Sequence, residues 1–318
     1  MNSINTNFAA LTALQSLNET NKDLLMTQNR ISTGLRIGDA ADGAAYWSMS
    51  TTMKSDNKAL SAVSDALGLG AATADVAYTA MNSAIDVTSE IKAKLVAARE
   101  PGVDRGQIQT EIDALQDQLR GIASAASFSG ENWLSVDSTD ASYSATETIV
   151  SSFTRSGSNV SVGTISVSVS SMFLFDNDTT PPAVNARGIL GSGRDATTGA
   201  VSLTGTIFLA TATGTGEMDI SSATDTQIDQ NIQAVDVAIS DMTTAATRLG
   251  AVQSRISLQS DFVSALQDSI DRGISTLIDA DMNEESTRLQ ALQVQQQLGI
   301  QALSIANSSS QNILSLFR

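Results

Sequence analysis

The acidic segment "DADMNEES" places oxygen-bearing side chains at alternate positions, as the first half of a calcium loop does. Those positions are Asp279, Asp281 and Asn283. A calcium loop also has glycine at its sixth position and glutamate at its twelfth, where this chain has Glu284 and Gln290. Asp281 followed three residues later by Glu284 instead forms an aspartate version of the capping box, which starts a helix. We therefore predict a helix start here and no metal site.

Two other short motifs have simpler explanations than chemistry. "GLGAAT" after Leu67 contains two glycines of a dinucleotide-binding fingerprint, but it lacks the third glycine and the preceding strand. It interrupts an amphipathic run, so close helix packing explains it better. The N-glycosylation pattern occurs at Asn177 and Asn307, and so short a pattern often arises by chance.

The composition excludes most common catalytic designs. The chain has no histidine and no cysteine in 318 residues, which removes disulfides, Cys/His zinc sites, thiol nucleophiles and imidazole acids or bases. The formal net charge of -16 opposes binding to nucleic acid and to anionic membranes. No apolar run approaches the roughly 20 residues of a membrane span, and the first charged residue, Glu19, does not fit a basic signal-peptide start. We expect a soluble, non-enzymatic protein without a cofactor.

Three internal runs predict long helices. Proline occurs only at positions 101, 181 and 182, so the strongest helix breaker is missing from long stretches on both sides. Apolar residues recur at steps of three and four, the spacing of coiled-coil packing. The first run contains Leu60, Val63, Leu67, Gly70, Ala74, Ala77, Met81, Ala84, Thr88, Ile91, Leu95 and Ala98. The second contains Ile108, Ile112, Leu115, Leu119, Ile122 and Ala126, and the third Leu249, Val252, Ile256, Gln259, Val263, Leu266, Ile270, Gly273 and Leu277.

Both terminal segments carry a similar stripe, which predicts a further helix at each end. We assign a self-assembly seam to its apolar members, Leu14, Leu17, Leu24, Ile31, Leu289, Leu292, Leu303, Ala306, Ile313 and Phe317. The same stripes also contain Gln296, Gly299 and Ser310, and a polar residue at such a position often specifies register or partner. Two interpretations stay open. The segments are either poorly packed, partly exposed helices, or they become ordered only when many copies pack together.

The middle of the chain differs in composition. Between about Asp137 and Thr224 serine, threonine and glycine dominate, and alternation in "VSVGTISVSVS" and "AVSLTGTIFLA" predicts half-buried strands. The helical halves on either side have amphipathic faces that need a partner. The predicted fold class is therefore mainly α with a β-rich insertion: a folded-back α-helical hairpin, or coiled-coil bundle, that brings the terminal helices together.

Several long motifs resemble one family in the same order and at the same ends. They are "INTNFAALTALQSLN", "QNRISTGLRI" with "DAAD", "FSGENWLS", "RLGAVQSRI", "DADMNEES" and "QALSIANSSSQNILSLFR". Together they resemble bacterial flagellin, of the alphaproteobacterial or rhizobial type. The resemblance covers roughly the first 135 and the last 95 residues, and the middle does not contribute to it.

The resemblance implies a structural subunit that polymerises into the flagellar filament for swimming motility. It implies terminal helices of the filament core at 1–33 and 285–318, connectors at 34–45 and 278–284, a helical rod at 46–136 and 225–277, and a variable, β-rich, surface-exposed outer domain at 137–224. The implied partners are copies of the chain itself, sister flagellins, the flagellar export apparatus with its chaperone, and the cap and hook-junction proteins. The implied location is extracellular, after secretion without a cleaved signal, and no nucleic acid or membrane partner is expected.

Two segments depart from the family pattern at positions that innate immune receptors recognise. In "RIGDAADGAAYW", Gly43 and Tyr46 replace the aspartate and glycine usual in the segment that plant receptors bind. In "SEIKAKLV", Ile91 and Ala93 replace the two arginines usual in the segment that the vertebrate receptor binds, and Lys94 reverses the charge of a glutamate. The resemblance therefore predicts weak stimulation of both receptors.

Two other classes of protein are compatible with parts of this sequence. A junction protein between hook and filament would share the terminal motifs but occur in few copies. A degradative surface enzyme could occupy the middle of the chain, although that region contains no histidine, no cysteine and no dense carboxylate cluster.

Overall fold

A computed structural model describes residues 7–138, 140, 143–157, 159–176, 188–191 and 218–316, and the side chains only as far as residue 308. The described residues are mainly helical. The helices are α1 Phe8–Thr33, α2 Ala40–Ala98, α3 Arg105–Ala125, α4 Asp225–Ile278 and α5 Met282–Leu316. The strands are β1 Ser127–Phe128, β2 Glu131–Asn132, β3 Ser135–Val136, β4 Glu147–Ser156, β5 Asn159–Val167 and β6 Phe175–Asp176. The predicted fold class, mainly α with a β-rich insertion, is confirmed. None of the described helices is long and apolar enough to cross a membrane.

The chain divides into two compact units. The terminal unit comprises Met1–Lys58 and Leu266–Arg318, and the central unit comprises Ala59–Ala265. Helices α2 and α4 are each divided between the two units, one part of each helix belonging to the terminal unit and the other part to the central unit. This boundary differs from the predicted division into core, connector, rod and outer domain, which stays a prediction.

The core of the central unit follows the predicted helical stripes. Every predicted residue of the first run, from Leu60 to Ala98, is buried. In α3 the stripe shifts at two places, because Gln116 and Ala123 are buried while Leu115 and Ile122 are only half-buried. Steps of three and four fit several neighbouring phases of a 3.6-residue helix, so the pattern fixes the face of α3 only to within one residue.

A β-hairpin packs against α2 in the central unit. Strands β4 and β5 pair antiparallel from Glu147↔Val167 to Ser156↔Asn159, with an irregularity between Val150 and Ser152. Of the two predicted strand segments, "VSVGTISVSVS" contributes residues 160–167 to β5, and its last residues enter a 3-10 turn at Val169–Ser171. The segment "AVSLTGTIFLA" lies outside the described residues. A Cβ built at Gly70 of α2 would lie 2.6 Å from Ile149 Cγ2 of β4. Glycine at position 70 therefore allows the hairpin to approach the helix backbone.

In the terminal unit, the segment after α1 pairs with the segment between α4 and α5. Gly34 caps the end of α1 in the left-handed conformation, with φ 73°, which glycine adopts without steric cost. Leu35 then forms an antiparallel bridge with Asp279, and the Ala280 N–H donates to the Gly34 carbonyl at 2.9 Å. A small apolar cluster lies beside the bridge, formed by Ile37, Ile274 and Ile278 with Leu35, Met53, Ile270 and Leu277 around them.

Candidate assembly surface

Helix α1 begins with a cap that also joins the two ends of the chain. The Asn7 side chain accepts a hydrogen bond from the Ala10 N–H at 3.0 Å, which satisfies a free donor of the first turn. Its amide Nδ2 donates to the Ala306 carbonyl of α5 at 2.9 Å. The start of α1 is therefore held against the later part of α5.

Helices α1 and α5 pair along their length through small and polar contacts. A Cβ built at Gly299 would lie 3.2 Å from Leu17 Cδ1, and Gln296 Nε2 donates to Asn21 Oδ1 at 2.7 Å. Of the three stripe residues Gln296, Gly299 and Ser310, the first two thus face α1 of the same chain. They fix how α1 lies against α5, as a polar residue does at a coiled-coil position. The Ser310 side chain lies outside the described residues.

An ion pair lies at the base of this helix pair. Arg30 Nη1 of α1 lies 3.2 Å from Glu285 Oε1 of α5, and Arg288 Nη1 lies 3.6 Å from the same oxygen. The Glu285 side chain is buried. A groove of about 410 Å³ lies next to the pair, lined by Asp23, Met26, Thr27, Arg30, Arg288, Ala291, Leu292 and Gln295.

Two capping carboxylates hold the segments between the helices. The backbone N–H groups of Gly38 and Asp39 donate to Asp42 Oδ2, and these hydrogen bonds lower the pKa of Asp42 below its usual range. Asp281 Oδ1 accepts from the Asn283 N–H at 2.8 Å at the start of α5. Asp281 therefore serves as the predicted helix cap. No group of three potential metal ligands occurs among the residues that the structure describes.

The predicted seam residues that the structure describes differ in how far they are exposed to solvent. Leu292 is buried. The half-buried residues are Leu17, Leu24, Ile31, Leu289, Leu303 and Ala306. Leu14 is 45% exposed, and Ala13 takes the more buried position. A straight α-helix drifts about 20° per heptad from a strict 3.5-residue repeat, which moves such positions off the contact line. The Ile313 side chain and all of Phe317 lie outside the described residues.

The terminal helices bury little within one chain. Among the described side chains of α1, only Thr27 is buried. The described part of α5 buries Glu285 and Leu292. Many of their large apolar side chains are exposed to solvent. On α1 these are Phe8, Leu11, Leu14, Leu25 and Met26, on the first turns of α2 they are Tyr46, Trp47 and Met49, and on α5 they are Met282, Val294, Leu298, Ile300 and Ile305.

We call this set the exposed apolar surface of the terminal unit. So many exposed large apolar side chains on one part of a chain indicate an interaction site. A side chain of this size stabilises an assembly by about 1.5–3 kcal/mol when it is fully buried. Of these residues the predicted seam contains only Leu14, because the seam follows the stripe that faces the partner helix. The second stripe of α5, which contains Leu298 and Ile305, was the signal that could have found them.

The positions assigned to immune recognition lie in contrasting environments. In the terminal unit, α2 departs from helical geometry at Gly43, and Tyr46 is exposed. In the central unit, Ile91 is fully buried and Ala93 is exposed. Lys94 Nζ lies 2.6 Å from Glu111 Oε2 of α3, and the hydrogen bond that Lys94 donates to this carboxylate raises the pKa of Lys94.

Comparison with known proteins identifies the family. Residues 4–139 match the family model described as the bacterial flagellin N-terminal helical region, and residues 232–317 match the bacterial flagellin C-terminal helical region. The chain belongs to the bacterial flagellin family. It is 51% identical to flagellin C of Rhizobium meliloti over 327 aligned positions, which cover all of both chains. The resemblance to flagellin in the terminal motifs is thereby confirmed.

Two further relatives match over their whole length, and one of them is longer than this flagellin. A flagellin of Brucella melitensis is 46% identical over 319 positions, and flagellin A of Rhizobium meliloti is 45% identical over 396 positions, again with both chains fully covered. Since this chain has 318 residues, flagellin A contains residues with no counterpart here. The two family models leave residues 140–231 of this chain unmatched.

Proposed function

We propose that this flagellin is the structural subunit of a bacterial flagellar filament and that it polymerises with copies of itself to support swimming. The exposed apolar surface of the terminal unit is the observation that carries this proposal. A chain that keeps so many large apolar side chains on its terminal helices needs partners of the same kind to cover them. Family membership supplies the identity of the assembly, and nothing in the comparisons favours the hook-junction alternative.

The proposed mechanism is that the terminal helices pack between subunits. The internal contacts of α1 with α5, at Leu17–Gly299 and Asn21–Gln296, leave the opposite faces free for neighbours. Each apolar side chain covered by a neighbour adds a favourable contribution to polymerisation. The predicted seam then acts within the subunit, and the exposed apolar surface acts between subunits.

Other parts of the assignment rest on the family alone. We propose that the chain leaves the cell through the flagellar export apparatus with a chaperone, and that it meets the cap and hook-junction proteins during assembly. Rhizobium meliloti has flagellins named A, B, C and D, which supports sister flagellins as additional partners. The chain has no enzymatic role in this proposal, because the family consists of structural proteins.

The test is polymerisation of a surface variant with an intact subunit fold. Ile305→Asp changes a side chain that is exposed in the single chain, so the fold should survive while filament formation is lost. Ser156→Asp, at the exposed end of β4 in the central unit, adds the same charge outside the proposed assembly surface and should polymerise normally. Filaments are counted by sedimentation and electron microscopy, and circular dichroism verifies the helix content. Normal filaments from Ile305→Asp, or from the seam variant Leu303→Asp, would count against the proposal.

A further inference from the structure

Methionine side chains are distributed unequally between the two units. In the terminal unit, Met26, Met49 and Met282 are 50%, 54% and 43% exposed. In the central unit, the described methionines are all buried; they are Met81, Met172, Met218 and Met242. Met53 of the terminal unit is half-buried against the Ile37 cluster.

The three exposed methionines belong to the exposed apolar surface. Met26 follows exposed Leu25 on α1 and lines the groove beside the Arg30–Glu285 pair. Met49 lies within one turn of Tyr46 and Trp47 on α2, and Met282 is the first residue of α5. Methionine is flexible and polarisable, so it adapts to irregular contacts better than a branched residue does. It is also the only residue of this chain whose side chain a mild peroxide readily oxidises, since cysteine is lacking.

We infer that Met26, Met49 and Met282 form an oxidation-sensitive site that controls polymerisation: peroxide modifies them in the free subunit, and neighbouring subunits protect them in the filament. This inference rests on the proposed function, because it requires that copies of the chain cover this surface. The central unit retains its fold after such oxidation, since its methionines are buried.

The chemistry is a two-electron oxygen transfer from hydrogen peroxide. The thioether sulfur attacks one peroxide oxygen, a sulfur–oxygen bond forms and the oxygen–oxygen bond breaks. The second peroxide oxygen leaves as water after taking up both protons. The sulfur is oxidised to the sulfoxide and the peroxide is reduced. The product is a polar, chiral group that methionine sulfoxide reductases can convert back.

The expected consequence is a loss of polymerisation without unfolding. A sulfoxide oxygen buried between subunits without a hydrogen-bond donor is unfavourable, and one such group raises the critical concentration on the order of tenfold. Buried methionines react only when the structure opens locally, so their oxidation should be slower by on the order of tenfold or more.

The experiment compares free subunits with preformed filaments of the full chain, both treated with dilute hydrogen peroxide. Peptide mass spectrometry should find sulfoxide at positions 26, 49 and 282 in subunits, and much less in filaments. Oxidised subunits should no longer polymerise, and methionine sulfoxide reductases should restore polymerisation. The variant M26L/M49L/M282L should polymerise before and after peroxide treatment. Unchanged circular dichroism distinguishes these effects from unfolding.

Each contrary result has a defined meaning. Equal oxidation of the three residues in subunits and filaments, or normal polymerisation of the fully oxidised wild-type protein, would overturn the inference and leave the filament proposal intact. Untreated protein that fails to polymerise would overturn the filament proposal, and the inference with it.

Discussion

Arg30 of α1 and Glu285 of α5 form an ion pair with 3.2 Å between Nη1 and Oε1. The two residues are 255 positions apart in the chain, and the glutamate side chain is buried. Its second oxygen, Oε2, has no hydrogen-bond partner among the described residues. The carboxylate therefore depends on Arg30 and, at 3.6 Å, on Arg288. Removing a partner of a buried charge is more costly than the pair itself is stabilising.

Arg30→Met should destabilise the packing of α1 on α5. The substitution keeps the aliphatic stem but leaves Glu285 with the more distant Arg288, and we expect a loss of about 1–3 kcal/mol, reduced by the partial exposure of Arg30. The thermal dissociation of filaments, followed by light scattering, provides the measurement.

The control for the ion pair is Arg288→Met, which makes the same change at a more exposed arginine. It should have the smaller effect. The double variant Arg30→Met/Glu285→Leu should recover much of the loss, because no uncompensated charge is then buried. Equal dissociation temperatures for Arg30→Met and the wild type would show that the pair has no role.

Some features of this fold could be predicted from the sequence, and the Arg30–Glu285 ion pair is not one of them. The buried stripe from Leu60 to Ala98 was predictable, because a repeat of apolar side chains alone defines the buried face of a helix. The exposure of Leu14 was not predictable, because it depends on how far a straight helix departs from a strict 3.5-residue repeat along its partner helix. The pairing of Arg30 with Glu285 was not predictable either, because no local pattern links two residues so far apart. Both residues lie in motifs that carried the family resemblance, but their contact requires the fold.

Gly70→Ala should destabilise the central unit. The new methyl group would lie 2.6 Å from Ile149 Cγ2 and 2.8 Å from its Cδ1, so the β-hairpin or α2 must move, at a cost of about 1–3 kcal/mol. Gly68→Ala is a matched control two residues away, where nothing lies within 4 Å of the new methyl group. It should stabilise the helix by about 0.5–1 kcal/mol. Urea denaturation should show a lower free energy of unfolding for Gly70→Ala and a higher one for Gly68→Ala than for the wild type.

The Gly70 prediction can be checked further through its contact. Ile149→Ala removes the atoms that the new methyl group would meet, so the double variant Gly70→Ala/Ile149→Ala should be more stable than the sum of the single effects predicts. Additive effects would show that the hairpin does not press on α2 at this point.

The central unit should become less stable at acidic pH, because Asp225 at the start of α4 then becomes protonated. Hydrogen bonding from Arg105, together with the charge of Arg99, lowers the pKa of Asp225. Between the lowered pKa and the ordinary value of about 3.9, the unfolded chain binds more protons than the folded chain. The stabilisation is therefore complete above that ordinary value and is lost as the pH falls through the folded pKa.

Asp225→Asn tests this acid sensitivity. The variant should melt at a lower temperature than the wild type at pH 6, and the difference should shrink as the pH falls towards about 2.5. Asp65→Asn, at an exposed position of α2, is the control and should change the melting temperature less at pH 6. A difference for Asp225→Asn that stays constant from pH 6 to pH 2.5 would contradict the assignment.

The purified protein should stimulate the vertebrate and plant flagellin receptors weakly. Gly43 and Tyr46 replace the residues usual in the plant-recognised segment, and Ile91, Ala93 and Lys94 replace those usual in the vertebrate-recognised segment. Reporter cells for the vertebrate receptor and oxidative bursts in leaf tissue provide the measurements, with a flagellin from an enteric bacterium as reference. A response as strong as that to the reference would refute the prediction.

The arginine that is usual in the family cannot be introduced at position 91 without a loss of stability. Ile91 is fully buried in the central unit, so Ile91→Arg would bury an unpaired charge and should destabilise the unit by more than about 3 kcal/mol. Ala93→Arg, two residues along the same helix and exposed, should stay within about 0.5 kcal/mol of the wild type. Thermal unfolding separates the two variants. If Ile91→Arg were as stable as Ala93→Arg, the α2 face that carries Ile91 could not be the buried one.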